Sequence, residues 1–159
     1  MKLSRATILL KAVLVLSAIV LGLVVFGGVP AFMQHVTEVR PDLAGWDYIM
    51  RGYGLLMALP VWAVMGILWL VFDTIPKNES FCTGNVNRFR LIMWLAAGDL
   101  VLALALGLFL AISGVTPPFI MMCLTGATYL GIVAIVVFYV LAGLLQNAVA
   151  IKQDNDMTI

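Results

Sequence analysis

Asp99 carries the most conspicuous chemistry in this chain. After Arg90, the ionisable side chains before Lys152 are Asp99, Cys123 and two tyrosines. A carboxylate isolated in an apolar run can carry a proton or pair with a cation. At the centre of a membrane helix it costs about 2.5–3.5 kcal/mol to insert, so it tends to face protein and find a partner. Lys11, in the first apolar segment, is the cation at comparable depth. Together they define a candidate intramembrane polar pair, with packing contact as the plainer role. His35 is the single histidine, with Glu38, Asp42 and Asp47 nearby. A haem held between helices normally takes two axial ligands and zinc takes three or four, so no metal or cofactor site is expected. Cys82 and Cys123 lie in no CxxC spacing and read as two unpaired thiols. No GxSxG, HExxH, phosphate-loop or dinucleotide motif is present. Asn78-Glu79-Ser80 has the form of a glycosylation sequon but falls in the expected cytoplasmic loop. The chain reads as non-enzymatic.

The elements that position these residues follow from composition. The 159 residues are 64% hydrophobic and 11% charged, against about 45–50% and about 25% in soluble domains. That much apolar surface cannot be hidden in a fold of this size, so the solvent is a lipid bilayer. The charges fall in blocks that delimit four spans of roughly 20 residues or more, at about 7–29, 50–72, 88–112 and 119–150. Ser113-Gly114-Val115-Thr116-Pro117-Pro118 separates the last two. Residues 30–49 read as an outer loop, 73–87 as a cytoplasmic loop and 151–159 as a cytoplasmic tail. The expected fold is all-α: one domain, an integral membrane four-helix bundle.

Orientation follows from Lys and Arg near the span ends. With the N-terminus inside, Lys2, Arg5, Lys11, Lys77, Arg88, Arg90 and Lys152 are cytoplasmic, and only Arg40 and Arg51 are outside. Both termini are therefore expected in the cytoplasm of a bacterial cell. The first apolar run exceeds a signal-peptide core and reads as a retained anchor. Trp46, Tyr48 and Tyr53 suit the outer interface and Trp69 and Trp94 the inner one, with Trp62 a mid-span packing residue. Small residues spaced by four recur in every span: Ala18 and Gly22; Gly54 and Ala58; Ala103, Gly107 and Ala111; Ala127 and Gly131. Such stripes support close helix packing or a homo-oligomer.

The cytoplasmic face is the richer surface. Thr83 can cap the third helix, with Asn85, Arg88 and Arg90 following in its first turns. The fourth helix would run about 48 Å, beyond a hydrocarbon core of about 30 Å. It leads into a tail in which Asp154, Asn155 and Asp156 could reach the loop arginines. These six residues are the candidate partner-binding set.

Two stretches resemble a known family. The end of the chain, Gln146-Asn147-Ala148-Val149-Ala150-Ile151-Lys152-Gln153-Asp154-Asn155-Asp156-Met157-Thr158-Ile159, is similar to the "ENDLTI"-like tail of the YoaS-like family, small bacterial four-helix membrane proteins of unknown function. Phe81-Cys82-Thr83-Gly84-Asn85-Val86-Asn87-Arg88-Phe89-Arg90 resembles that family's "PFSxEN-x-x-RL+" motif, and Lys11 and Pro30 fall where members often carry Lys and Pro. Cys82 stands where Ser is usual and Gly84 where an acid is usual, which weakens any capping at this turn. Members are often encoded beside a very small helix-turn-helix regulator. The resemblance thus implies a cytoplasmic DNA-binding partner, while the chain itself has no DNA-binding module. The reading is a regulatory or sensory membrane protein that docks such a regulator through its inner loop and tail. The alternative is a small oligomeric transporter or ion-linked protein using Asp99.

Overall fold

The first apolar run and the segment after it form one helical rod. In the computed structural model, which describes residues 2–77, 80–114 and 118–157 and side chains over 5–77, 80–114 and 118–154, α1 (Lys2–Leu23) passes through a π-helical turn (Val24–Gly28) into α2 (Val29–Val39). A 3-10 segment (Pro41–Trp46) leads to α3 (Asp47–Phe72), and α4 (Thr83–Ile112) and α5 (Pro118–Met157) follow. Four stretches are long and apolar enough to cross a membrane: Arg5–Val39, Pro41–Phe72, Thr83–Ile112 and Pro118–Asp154. Among the described residues every regular element is helical, as lipid demands of a spanning backbone that must satisfy its own hydrogen bonds.

Residues 30–49, expected as a loop, are mostly helical. Pro30 sits in the first turn of α2, where its fixed φ suits a helix and its missing N–H costs nothing. Met33 is buried while Gln34, His35 and Glu38 are exposed. The polar residues had hidden the helical spacing of Val29, Met33 and Val36. Helix ends also run past the expected spans, with α1 starting at Lys2, α4 at Thr83 and α5 reaching Met157. A helix need not stop where the hydrocarbon does.

The chain divides into two units, Met1–Trp69 and Leu70–Ile159. In the first, the α1–α2 rod runs antiparallel to α3. The Trp62 indole N–H donates to the Ala18 carbonyl (3.4 Å) and its ring stacks on Phe26 at 6.2 Å. A Cβ added at Gly22 would lie 3.9 Å from the Trp62 ring, and one at Gly54 would lie 3.6 Å from Val29. These two glycines of the small-residue stripes thus allow close approach. Pro60 lies inside α3, removing one helical hydrogen bond, which membrane helices tolerate.

In the second unit α4 and α5 pack antiparallel. Ile92, Ala103, Leu106 and Leu110 are buried on α4, and Leu124, Ala142 and Val149 on α5. Phe89 meets Phe138 at 5.9 Å, and a Cβ at Gly131 would meet Leu100 at 3.7 Å. Other members of the stripes do not pack this way: Ala111 and Ala127 are exposed, and a Cβ at Gly107 would meet nothing within 4 Å. Gly114, at φ +68°, closes α4 in a left-handed conformation that favours glycine. Its N–H donates to the Ala111 carbonyl, and the Ser113 hydroxyl donates to Phe109.

Candidate functional site

The turn from α3 into α4 is organised by one buried amide. Asn85 is 1% exposed. Its Nδ2 donates to Thr74 Oγ1 (2.8 Å) and to the Ser80 carbonyl (3.0 Å), and its Oδ1 accepts from Arg88 Nη1 (2.8 Å). The Thr74 hydroxyl in turn donates to the Val71 carbonyl (2.7 Å), and Arg88 Nη1 also reaches the Leu70 carbonyl at 3.4 Å. The last turn of a helix leaves carbonyls without intrahelical donors. Here Thr74 and Arg88, linked through Asn85, supply donors to two of them.

The start of α4 differs from expectation in one respect. Thr83 is its first helical residue, and the cap position falls on Cys82, whose backbone is extended (φ −135°, ψ 153°). The Cys82 carbonyl accepts from the Asn85 and Val86 N–H groups, but no side chain caps the helix. A residue already in helical geometry cannot fold its hydroxyl onto the N–H groups ahead of it as a cap does. A thiol is also a weak acceptor.

Of the six candidate partner-binding residues, three have separate positions in this unit. Asn85 is interior, so its contribution to any docking surface is the shape it holds. Arg88 is half-buried and committed to Asn85. Arg90 is exposed, and its Nη2 donates to Gln146 Oε1 on α5 across 2.7 Å. Asp154 is exposed on α5, eight residues beyond Gln146 and so about 12 Å further along the axis. Its backbone continues the helix, which runs to Met157. The side chains of Asn155 and Asp156 lie outside the described residues.

Lys11 and Asp99, the candidate intramembrane pair, belong to different units. Lys11 Nζ stands 4.5 Å over the Trp69 ring, a cation–π contact within the first unit. Asp99 is half-buried, and its Oδ1, fully enclosed, has no hydrogen-bond partner among the described residues. No group of three or more metal-ligating side chains occurs among the described residues. Thr74 and Gln146 escaped the sequence reading as contact residues. The hydroxyl closing α3 and the amide opposite Arg90 were the signals, but neither pairing is encoded by local spacing.

Residues 31–159 match the family described as protein of unknown function, DUF2975. The chain belongs to the DUF2975 family. It is also similar to the uncharacterized membrane protein YoaS of Bacillus subtilis (strain 168), 28% identical over 165 residues that cover 97% of this chain and 98% of that protein. No solved structure matches it. With four membrane-length helices and a full-length membrane relative, this DUF2975 member is a multi-pass membrane protein.

Proposed function

We propose that this chain is a non-catalytic membrane protein that docks a cytoplasmic regulatory protein through the end of α5. The observation that carries this reading is the length of α5 past the Arg90–Gln146 contact. Eleven further residues, to Met157, carry the helix about 16 Å onward. That extension holds exposed Asn147, Lys152, Gln153 and Asp154, a polar surface that lipid would not favour. The distribution of Lys and Arg assigns it to the cytoplasm. The partner that the family resemblance suggests is a small helix-turn-helix regulator, which would meet an acidic and amide-rich helix.

The test is affinity purification in mild detergent of the full chain and of a form ending at Lys152. Recovery of a small cytoplasmic DNA-binding protein with the full chain alone supports docking through the tail. Equal recovery with both forms, or none with either, removes it.

A second reading rests on the enclosed Asp99 oxygen, which has no hydrogen-bond partner among the described residues: an oligomer that moves a proton or cation past this carboxylate. Flux in proteoliposomes no greater than in empty vesicles, or unchanged by Asp99→Asn, would dismiss it.

A further inference from the structure

Arg88 and Arg90 are two residues apart but face different surroundings. Arg88 turns to the buried turn, whereas Arg90 is exposed and held at one nitrogen by Gln146. A guanidinium offers five N–H donors in a planar fork, so the Gln146 bond orients Arg90 and leaves most of that fork for another acceptor.

Three apolar residues stand on the same face of α4 as Arg90. Trp94, Val101 and Leu108 follow at spacings of 4, 11 and 18 residues, which bring them within a narrow angular stripe. They are 68%, 65% and 63% exposed. From Arg90 to Leu108 the stripe runs about 27 Å, close to the thickness of a hydrocarbon core. Among the described residues of Leu70–Ile159 this face is left uncovered, and its length suits acyl chains with Arg90 at headgroup depth. Trp94, one turn inward, suits the interface.

We infer that Arg90, oriented by Gln146, binds the phosphate of an anionic phospholipid whose acyl chains lie along Trp94, Val101 and Leu108. Arg is suited to this task because its fork matches two phosphate oxygens. A soluble phosphate would gain nothing from the apolar stripe, so the occupant is a lipid.

The test is native mass spectrometry of the delipidated full-length protein, titrated with phosphatidylglycerol or with phosphatidylcholine of the same chains. The wild type should retain phosphatidylglycerol preferentially, and Arg90→Gln should cut that preference about fivefold. Lys152→Gln, which removes another exposed cation, should leave it unchanged. Arg90→Lys, which keeps the charge but not the fork, should fall between wild type and Arg90→Gln. If Arg90→Gln does not purify folded, Arg90→Lys decides: wild-type retention by it overturns the inference. Equal loss in Arg90→Gln and Lys152→Gln, or undiminished preference in Arg90→Gln, also overturns it. Displacement of the lipid by millimolar glycerol phosphate would assign the site to a free phosphate instead.

Discussion

Asn85 Nδ2 donates to Thr74 Oγ1 across 2.8 Å, joining the first turn of α4 to the residue that closes α3. The same amide binds Arg88 and the Ser80 carbonyl. Replacing it with Ala leaves Thr74, Ser80 and Arg88, all partly buried, each without that partner. Unfolding in detergent should show a loss of about 1–3 kcal/mol. A melting temperature equal to wild type would mean that this amide does not organise the turn.

Cys82 offers the opposite effect. It occupies the cap position with no side-chain hydrogen bond to the helix. Cys82→Ser places an oxygen acceptor beside the first turn of α4, whose opening N–H groups have no intrahelical acceptor, and should stabilise the protein by about 1 kcal/mol. The same melting assay reads it. A lower melting temperature would show that the thiol packs in a way a hydroxyl cannot replace.

Gly22 should discriminate sharply between side-chain sizes. A Cβ there would sit 3.9 Å from the Trp62 ring, an ordinary contact, so Gly22→Ala should be nearly neutral. Gly22→Leu has to displace the ring and its bond to Ala18, at a cost of about 1–3 kcal/mol. Near-ultraviolet circular dichroism and melting would register the displacement. Equal behaviour of the two variants would refute the close approach of α1 and α3.

Asp99 should be replaceable without harm to folding. Its Oδ1 makes no hydrogen bond to a described residue. Asp99→Leu should ease insertion of α4 by about 3 kcal/mol on the translocon scale. Insertion of the isolated segment in a reporter protein measures this, and melting of the full chain should not fall. A destabilised Asp99→Leu protein would show that the carboxyl serves the fold.

The sequence by itself determined the solvent, the fold class and the number of spans. Those depend on summed apolar content and on gaps between charges, and neither depends on how the chain packs. It also placed a break within Ser113-Gly114-Val115-Thr116-Pro117-Pro118, on its glycine and two prolines, and the structure ends α4 there with Gly114 at φ +68°. It did not reveal that residues 29–39 continue as helix beyond a π turn, because polar side chains at a membrane surface resemble a loop when read by composition. Only the tertiary structure separated Arg90 from Asn85 and Arg88, which look like one polar cluster in the chain. On a helix, residues three apart share a face, so Asn85 and Arg88 meet, whereas residues two or five apart do not, which turns Arg90 away from both. The partners that decide their roles, Thr74, the Leu70 carbonyl and Gln146, come from elsewhere in the sequence. One side chain thus became the buried centre of a turn, one a brace on it, and one an exposed cation bonded to α5.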